Sequence, residues 1–183
     1  MKPLTDTESI SLFAAIAVVA VMFFTVTGNP FTHTKTAEVA TAQNASTKDV
    51  VVIDANTDAA SARAALAGAT NAAGELTKLI IQDTKMGEGD AVAVGDTVTV
   101  HYIGTLQDGK EFDNSLARNQ PFTFKVGEGN VIPGWDAGIL GMKKGGERIL
   151  IIPPPMAYGD RGIGVIPPNT TLLFSITLLE ITK

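Results

Sequence analysis

The side chains that most often carry enzyme chemistry are scarce in this sequence. Its 183 residues include no cysteine, which excludes thiol nucleophiles, thiolate metal ligands and disulfides. The two histidines, His33 and His101, lie far apart in the chain, so a histidine-built zinc site of the usual close spacing is excluded as well. Asp113 follows Phe112, but one carboxylate without a partner is weak evidence for acid–base catalysis. We therefore predict neither a metal site nor a cofactor.

Composition and charge narrow the possible partners. The chain is 45% hydrophobic and 18% charged, which is enough apolar material for a packed core. Its formal net charge is −5 at pH 7, and no segment concentrates basic residues. A nucleic acid is therefore not a predicted partner.

The elements that must position any site lie in residues 75–183, where most glycines and prolines and every tyrosine and tryptophan occur. Alternating apolar residues predict strands, and the turns between them are too short for parallel crossovers. We therefore predict a five-stranded antiparallel sheet, with strands at residues 76–82, 97–106, 122–126, 148–152 and 172–178.

One helix is predicted between the third and fourth of these strands. Pro133 suits a first helical position, and Trp135, Ile139 and Met142 repeat at helical spacing. Two lysines and a glycine at residues 143–145 resemble a basic last turn and a stop. An antiparallel sheet covered by one short helix is an α+β domain.

Three glycines inside this helix need an explanation, because each destabilises a helix by about 1 kcal/mol relative to alanine. They are Gly134, Gly138 and Gly141. We predict that they allow close packing of the helix on the sheet.

The first 29 residues contain an apolar run from Ile10 to Val26. As a helix it would be roughly 25 Å long, at the short end of what crosses a bilayer. No polar face exists at any helical phase, which argues against a buried core helix. We predict a transmembrane signal-anchor in contact with the lipid bilayer, with the folded domain outside the cytoplasm; the alternative is a cleaved signal peptide and a secreted protein.

Residues 30–74 are rich in alanine and threonine and have one aromatic residue, Phe31. Such a stretch has too few large apolar side chains for a core of its own. An apolar run at residues 50–53 and a possible short helix at residues 58–67 interrupt it. We interpret the whole segment as a flexible linker that separates the domain from the membrane.

Six runs, in order along residues 75–183, closely resemble the FKBP-type peptidyl-prolyl cis-trans isomerases. They are VTVHYIG (98–104), DGKEFDNS (108–115), NQPF (119–122), VIPGW (131–135), AYG (157–159) and VIPPNTTL (165–172). The resemblance implies a curved antiparallel half-barrel around the helix, with an aromatic cleft for proline.

The resemblance also implies roles for individual residues. Trp135 is expected to form the cleft floor, and its walls are expected to be Tyr102, Phe112, Phe122, Val131, Ile132, Tyr158 and Phe174. Ile166 and Arg118 are further expected substrate-binding residues. The Ile132 N–H and the Tyr158 hydroxyl are expected to donate to ligand carbonyls. Tyr102 and Arg118 are expected to hold Asp113. Of the seven aromatic residues in residues 75–183, only Phe124 falls outside these positions.

The implied activity is isomerisation (rotamase activity) of X–Pro bonds in client polypeptides, which assists protein folding. Macrolide inhibitors such as rapamycin are further implied ligands. The barrier to rotation is about 18–20 kcal/mol, and a cleft that stabilises the twisted amide needs no nucleophile or metal. The alternative is a binding or chaperone module that holds proline segments without isomerising them.

Overall fold

The computed structural model of the protein describes residues 49–53 and 57–183. All of these residues belong to one compact unit. The elements in chain order are β1 (Val50–Ile53), α1 (Ala59–Ala69), β2 (Leu79–Lys85), β3 (Glu88–Ala91), β4 (Thr97–Leu106), β5 (Glu111–Asn114), β6 (Phe122–Lys125), α2 (Pro133–Gly138), β7 (Lys143–Lys144), β8 (Glu147–Ile152), a 3₁₀ turn (Pro154–Met156) and β9 (Leu172–Thr182).

A seven-stranded sheet dominates this unit. Its strand order is β1-β2-β8-β9-β4-β5, and β6 pairs with the first half of β4 beside β5. The long pair β4–β9 shifts register between Thr99 and Val100, a kind of irregularity that bends a strand. β3 and β7 form a separate two-stranded ribbon.

The α+β class is confirmed, and the five predicted strands are present as β2, β4, β6, β8 and β9. The prediction of a five-stranded, wholly antiparallel sheet is wrong, because the sheet has seven strands and one of its pairs is parallel. β5 was missed because Phe112 is the one large apolar residue in its four positions. β3 and β7 were missed because their residues are mostly polar or charged.

The parallel pair arises before residue 75. β1 pairs in parallel with β2, with Val51 opposite Ile80, and α1 supplies the crossover that such a pair requires. Ile80 and Ala69 are both buried but lie outside the main core cluster, which indicates a smaller apolar contact between α1 and the sheet. β1 lies within the segment that we interpreted as a flexible linker, and α1 coincides with the possible short helix at residues 58–67.

The predicted helix is real but shorter than expected. α2 begins at Pro133 and ends at Gly138, with Ile139 as its C-cap. Gly141 has a φ of +77° and turns the chain, so the lysines expected in a last helical turn form β7 instead. The buried Arg148 guanidinium donates to the carbonyls of Gly138 and Leu140 at 2.7 and 2.8 Å, satisfying the helix end.

Two of the three helix glycines pack as predicted. A Cβ on Gly134 would lie 2.4 Å from Cγ2 of Ile152, and one on Gly138 would lie 2.6 Å from Cδ1 of Leu150. Both contacts are far shorter than van der Waals distance, so a side chain at either position would push α2 off β8. Gly141 is different, because nothing lies within 4 Å of its Cβ position and its positive φ is what requires glycine.

The core lies between α2 and the sheet. It is lined by alternate residues of the strands, including Val98 and Val100 of β4, Leu150 and Ile152 of β8, and Leu172, Ile176 and Leu178 of β9. These side chains are fully or almost fully buried. The core thereby fixes the strands and the helix that carry the candidate site.

The membrane prediction concerns a different part of the chain. Within residues 49–53 and 57–183, neither helix has the length and apolar content to cross a bilayer. The apolar run from Ile10 to Val26 lies outside the described residues.

Candidate active site

Trp135 is the centre of the candidate site, and α2 places it there. Pro133 occupies the first turn of this helix, and Trp135 is only 4% exposed. Its ring centroid lies 5.1 Å from that of Tyr102 and 5.1 Å from that of Phe174, with interplanar angles of 88° and 89°. Such edge-to-face contacts are a favourable arrangement for aromatic rings.

The surrounding rings come from four different strands. β4 supplies Tyr102, β5 supplies Phe112, β6 supplies Phe122 and β9 supplies Phe174. Phe112 meets Phe174 at 5.6 Å and 89°, and Phe122 meets Trp135 at 6.0 Å and 78°. We call these four residues and Trp135 the Trp135 cluster.

The Trp135 cluster is buried at Trp135 and Phe174 and partly exposed to solvent at its other three rings. Trp135 and Phe174 are buried, whereas Phe122 is 38% exposed and Tyr102 and Phe112 are half-buried. Phe124, which the resemblance left outside the cleft, is buried and stacks on Phe122 at 5.6 Å and 24°. The arrangement offers an apolar surface of ring faces and edges to a small apolar ligand.

A polar group borders these rings. The Tyr102 hydroxyl donates to Oδ2 of Asp113, and Nη1 of Arg118 donates to Oδ1. The Asn114 N–H also donates to Oδ1, at 2.8 Å, and Nη2 of Arg118 lies 3.2 Å from the Tyr102 hydroxyl. The structure therefore brings Tyr102, Asp113 and Arg118 together, although they come from separate segments.

These contacts set the protonation of the group. Burial raises the pKa of the Asp113 carboxyl, but hydrogen bonds from Tyr102, Arg118 and the Asn114 N–H outweigh burial and hold this pKa below its ordinary value. Burial, reinforced by the bond to Asp113, raises the pKa of the Tyr102 hydroxyl. At neutral pH Asp113 is an ionised acceptor and Tyr102 a neutral donor.

The short loop after β5 directs Arg118 toward Asp113. The Asn114 side chain accepts hydrogen bonds from the N–H groups of Leu116 and Ala117 at 2.9 and 3.0 Å, which makes a tight turn. Ser115, fully buried, accepts from the Tyr102 N–H at 2.7 Å. This turn is thereby attached to β4 next to the aromatic rings.

The remaining predicted residues lie on two loops. Val131 and Ile132 are half-buried against the core just before α2. Among the described residues, no group accepts a hydrogen bond from the Ile132 N–H. Ile166 is buried, and its N–H and carbonyl exchange hydrogen bonds with Ile163 at 2.8 and 3.0 Å.

Tyr158 is the predicted residue that the structure keeps apart from the ring contacts. It is 37% exposed and is not among the residues that pack against the core, whereas its neighbours Met156 and Ala157 are. Among the described residues, the Tyr158 ring makes no contact with the rings of the Trp135 cluster.

Gly104 is a site residue that the sequence reasoning missed. It lies on β4 opposite Phe174 on β9 and Asp113 on β5. A Cβ there would lie 2.7 Å from Cζ of Phe112 and 2.9 Å from Cε1 of Phe174. A glycine inside a strongly alternating strand is itself a signal of close approach, and it could have identified this position.

A sequence model of the family described as FKBP-type peptidyl-prolyl cis-trans isomerase matches residues 89–179, which include every ring of the Trp135 cluster. The FK506-binding protein of Neisseria meningitidis is 52% identical over 104 residues, or 56% of this chain and 95% of that protein. The chain belongs to the FKBP family.

Solved FKBP structures agree with this assignment. The crystal structure of FkpA from Escherichia coli matches with a TM-score of 0.55 at 49% identity, covering 58% of this chain and 49% of that one. The crystal structure of AtFKBP13 matches with a TM-score of 0.54 at 40% identity, covering 61% and 96%.

Other FKBP relatives are longer than the shared region. FK506-binding protein 4 of Emericella nidulans is 50% identical over 107 residues, which are 58% of this chain but 22% of that protein. The chain therefore spans about a fifth of this fungal relative. What is shared is the FKBP domain and not the rest of either protein.

Proposed function

We propose that this protein is a peptidyl-prolyl cis-trans isomerase that accelerates rotation of X–Pro bonds in polypeptide clients and thereby assists their folding. The observation that carries this proposal is the Trp135 cluster, in which a buried indole meets near-perpendicular rings from three strands. Such a surface suits the flat, apolar proline ring.

The reaction needs no covalent chemistry. Rotation breaks the amide resonance that creates a barrier of about 18–20 kcal/mol, and the twisted amide is less dipolar than the planar one. An apolar, water-poor surface therefore favours the twisted state relative to the planar state. Donors that face the substrate backbone keep it oriented while the bond turns.

Two donors are suited to that orienting role. The Ile132 N–H has no acceptor among the described residues and directly precedes the helix that carries Trp135. The Tyr158 hydroxyl is on a side chain that is 37% exposed and therefore open to a ligand. We assign the first to a substrate carbonyl beside the proline and the second to a carbonyl at the rim.

Asp113 acts by holding neighbours and not by moving protons. Its two oxygens already accept three hydrogen bonds, and its lowered pKa keeps it ionised at neutral pH. The carboxylate orients the Tyr102 hydroxyl and the Arg118 guanidinium, so that the Tyr102 ring keeps its edge contact with Trp135.

The decisive experiment measures cis–trans exchange of a short X–Pro peptide with and without the purified full-length protein. We expect acceleration, and inhibition by rapamycin. Phe122→Ala is expected to lose most of the acceleration, whereas Thr123→Ala, on the opposite face of the same strand, is expected to retain it. A folded protein that binds proline peptides without accelerating exchange would support the alternative binding or chaperone module.

We further propose that the run from Ile10 to Val26 anchors the protein in a lipid bilayer with the FKBP domain outside the cytoplasm. The support is the uncharged, uniformly apolar sequence of this run. Full-length protein is expected to stay in the membrane pellet through carbonate and high-salt washes, since salt does not screen apolar burial. A shortened, freely soluble mature chain would establish signal cleavage and secretion instead.

A further inference from the structure

Asp136, the residue after Trp135 in α2, makes hydrogen bonds that have no part in the reaction described above. Its Oδ1 accepts a hydrogen bond from the Gly127 N–H at 2.9 Å, and its Oδ2 accepts one from the Gly129 N–H at 3.1 Å. Both oxygens of one half-buried carboxylate thus bind the backbone of an exposed turn. Hydrogen bonds of this kind, to an ionised acceptor, are among the stronger ones in proteins.

The turn that Asp136 binds requires an external support. Gly127 and Gly129 have φ values of +84° and +70°, and glycine is the most conformationally free residue in an unfolded or open loop. Residues 127–130 are all exposed, and the two that have side chains contribute little packing. The carboxylate of Asp136 is therefore a main constraint on the shape of this turn.

Asp136 also contacts the other end of the same segment. The carbonyl of Ile132 accepts from the Trp135 N–H at 2.9 Å and from the Asp136 N–H at 3.3 Å. Residues 127–132 are thus attached to Asp136 through its side chain at the start and through its backbone at the end. The segment that carries the Ile132 N–H is therefore held at both of its ends by one residue.

We propose that Asp136 is a positioning residue that holds residues 127–132 in shape, so that the Ile132 N–H meets the substrate carbonyl without further ordering of the loop. This inference rests on the proposed isomerase function. Its physical basis is preorganisation: a donor already held in its bound direction spares the entropy that a mobile loop loses on binding.

Asp136→Asn in the full-length protein tests this proposal. The amide keeps one acceptor oxygen, but its NH₂ group then faces a glycine N–H, so one of the two carboxylate contacts is lost. We expect KM for an X–Pro peptide and Kd for rapamycin each to rise on the order of tenfold, with kcat within about twofold of wild type, because binding to the carbonyl is shared by ground and transition states.

Glu128→Gln is the matched control. It also removes a carboxylate from this region, but Glu128 pairs with Lys125 and Asn130 through exposed side chains and not with the backbone. We expect its KM and Kd to match wild type. Hydrogen exchange gives an independent readout: the amides of Gly127 and Gly129 are expected to exchange faster in Asp136→Asn, while those of Val98 and Val100 stay protected.

The outcomes distinguish failure of the proposed isomerase function from failure of the proposed role of Asp136. An inactive wild-type protein that binds no rapamycin overturns the proposed function and this inference with it. An active wild type, with Asp136→Asn that has unchanged KM and Kd but a lower melting temperature, overturns this inference alone. In that case the carboxylate merely stabilises the first turn of α2.

Discussion

Gly104 and Phe174 lie opposite each other on neighbouring strands, and the phenyl ring occupies the space that a side chain at position 104 would need. Phe112 approaches the same position from the other side, so two rings meet edge to face over a bare backbone. The two rings can meet here because position 104 has no side chain.

Gly104→Ala should narrow the site. The new methyl would lie within 3 Å of both rings, so the two rings must shift away from it and change the shape of the site. We expect a stability loss of about 1–3 kcal/mol, typical of overpacking, and weaker rapamycin binding by isothermal titration calorimetry. Gly68→Ala, with open space around it in α1, should instead gain about 0.5–1 kcal/mol. Unchanged affinity in Gly104→Ala would contradict the proposed role of this glycine.

Trp135→Ala should reduce both stability and affinity, because the same ring packs α2 and forms the floor of the site. Removal of a buried tryptophan is expected to lower the free energy of unfolding by about 3–5 kcal/mol, measured by urea denaturation. No hydrogen bond is lost, since the buried Nε1 has no partner among the described residues. Loss of stability with full retention of ligand affinity would show that the floor lies elsewhere.

Asp113→Asn should keep the fold and much of the isomerase activity. An asparagine can still accept from Tyr102 or Arg118, and no proton transfer is required in the reaction. The rate of peptide exchange should decrease by less than about tenfold. A much larger loss, with an acidic limb of carboxylate-like midpoint in the wild-type pH–rate profile, would indicate acid–base catalysis at this residue.

The pH dependence of the wild-type protein follows from the lowered pKa of Asp113. A carboxyl whose folded pKa is below its unfolded value contributes stability that is fully present above the unfolded value, near pH 4. This contribution decreases as pH falls through the folded pKa. We therefore expect activity and the Asp113 contribution to be flat from about pH 5 to 8, and wild type to approach Asp113→Asn in stability at lower pH.

The contact of α1 with the sheet should contribute to stability and leave the site intact. Ala69→Arg places a long cation where the side chain is fully buried, which should disrupt the packing of α1 on the sheet. We expect a loss of about 2 kcal/mol, with unchanged rapamycin affinity. Ala64→Arg makes the same substitution at an exposed position of the same helix and should change stability by less than about 0.5 kcal/mol. Equal effects of the two variants would contradict this packing.

Much of the domain could be read from local pattern. The period-two alternation of β4 and β9 predicted both strands, because a strand that buries one face must alternate. Pro133 and the spacing of Trp135 and Ile139 predicted the helix and its start. Gly134 and Gly138 predicted close packing, since two glycines in a helix are otherwise unfavourable.

Other features depend on partners that are distant in sequence. Val50–Ile53 looked like part of a linker because its partner strand β2 lies some 30 residues away, and parallel pairing leaves no local turn signal. The end of α2 was misjudged because Arg148, from β8, satisfies its carbonyls. Local composition cannot report a contact supplied by another segment.

The site divides in the same way. The sequence by itself determined which residues are available: no cysteine, one histidine in the domain, a single tryptophan and a set of rings in an order that resembles one family. Only the tertiary structure decided that Gly104 leaves room for Phe112 and Phe174. It also decided that the Asp136 carboxylate accepts hydrogen bonds from the turn before Ile132. Among the described residues, it gives Tyr158 no contact with the rings of the Trp135 cluster. These relationships join residues across strands and loops, and their distances follow from how the sheet packs on α2, because packing is a property of the whole domain and not of any one segment.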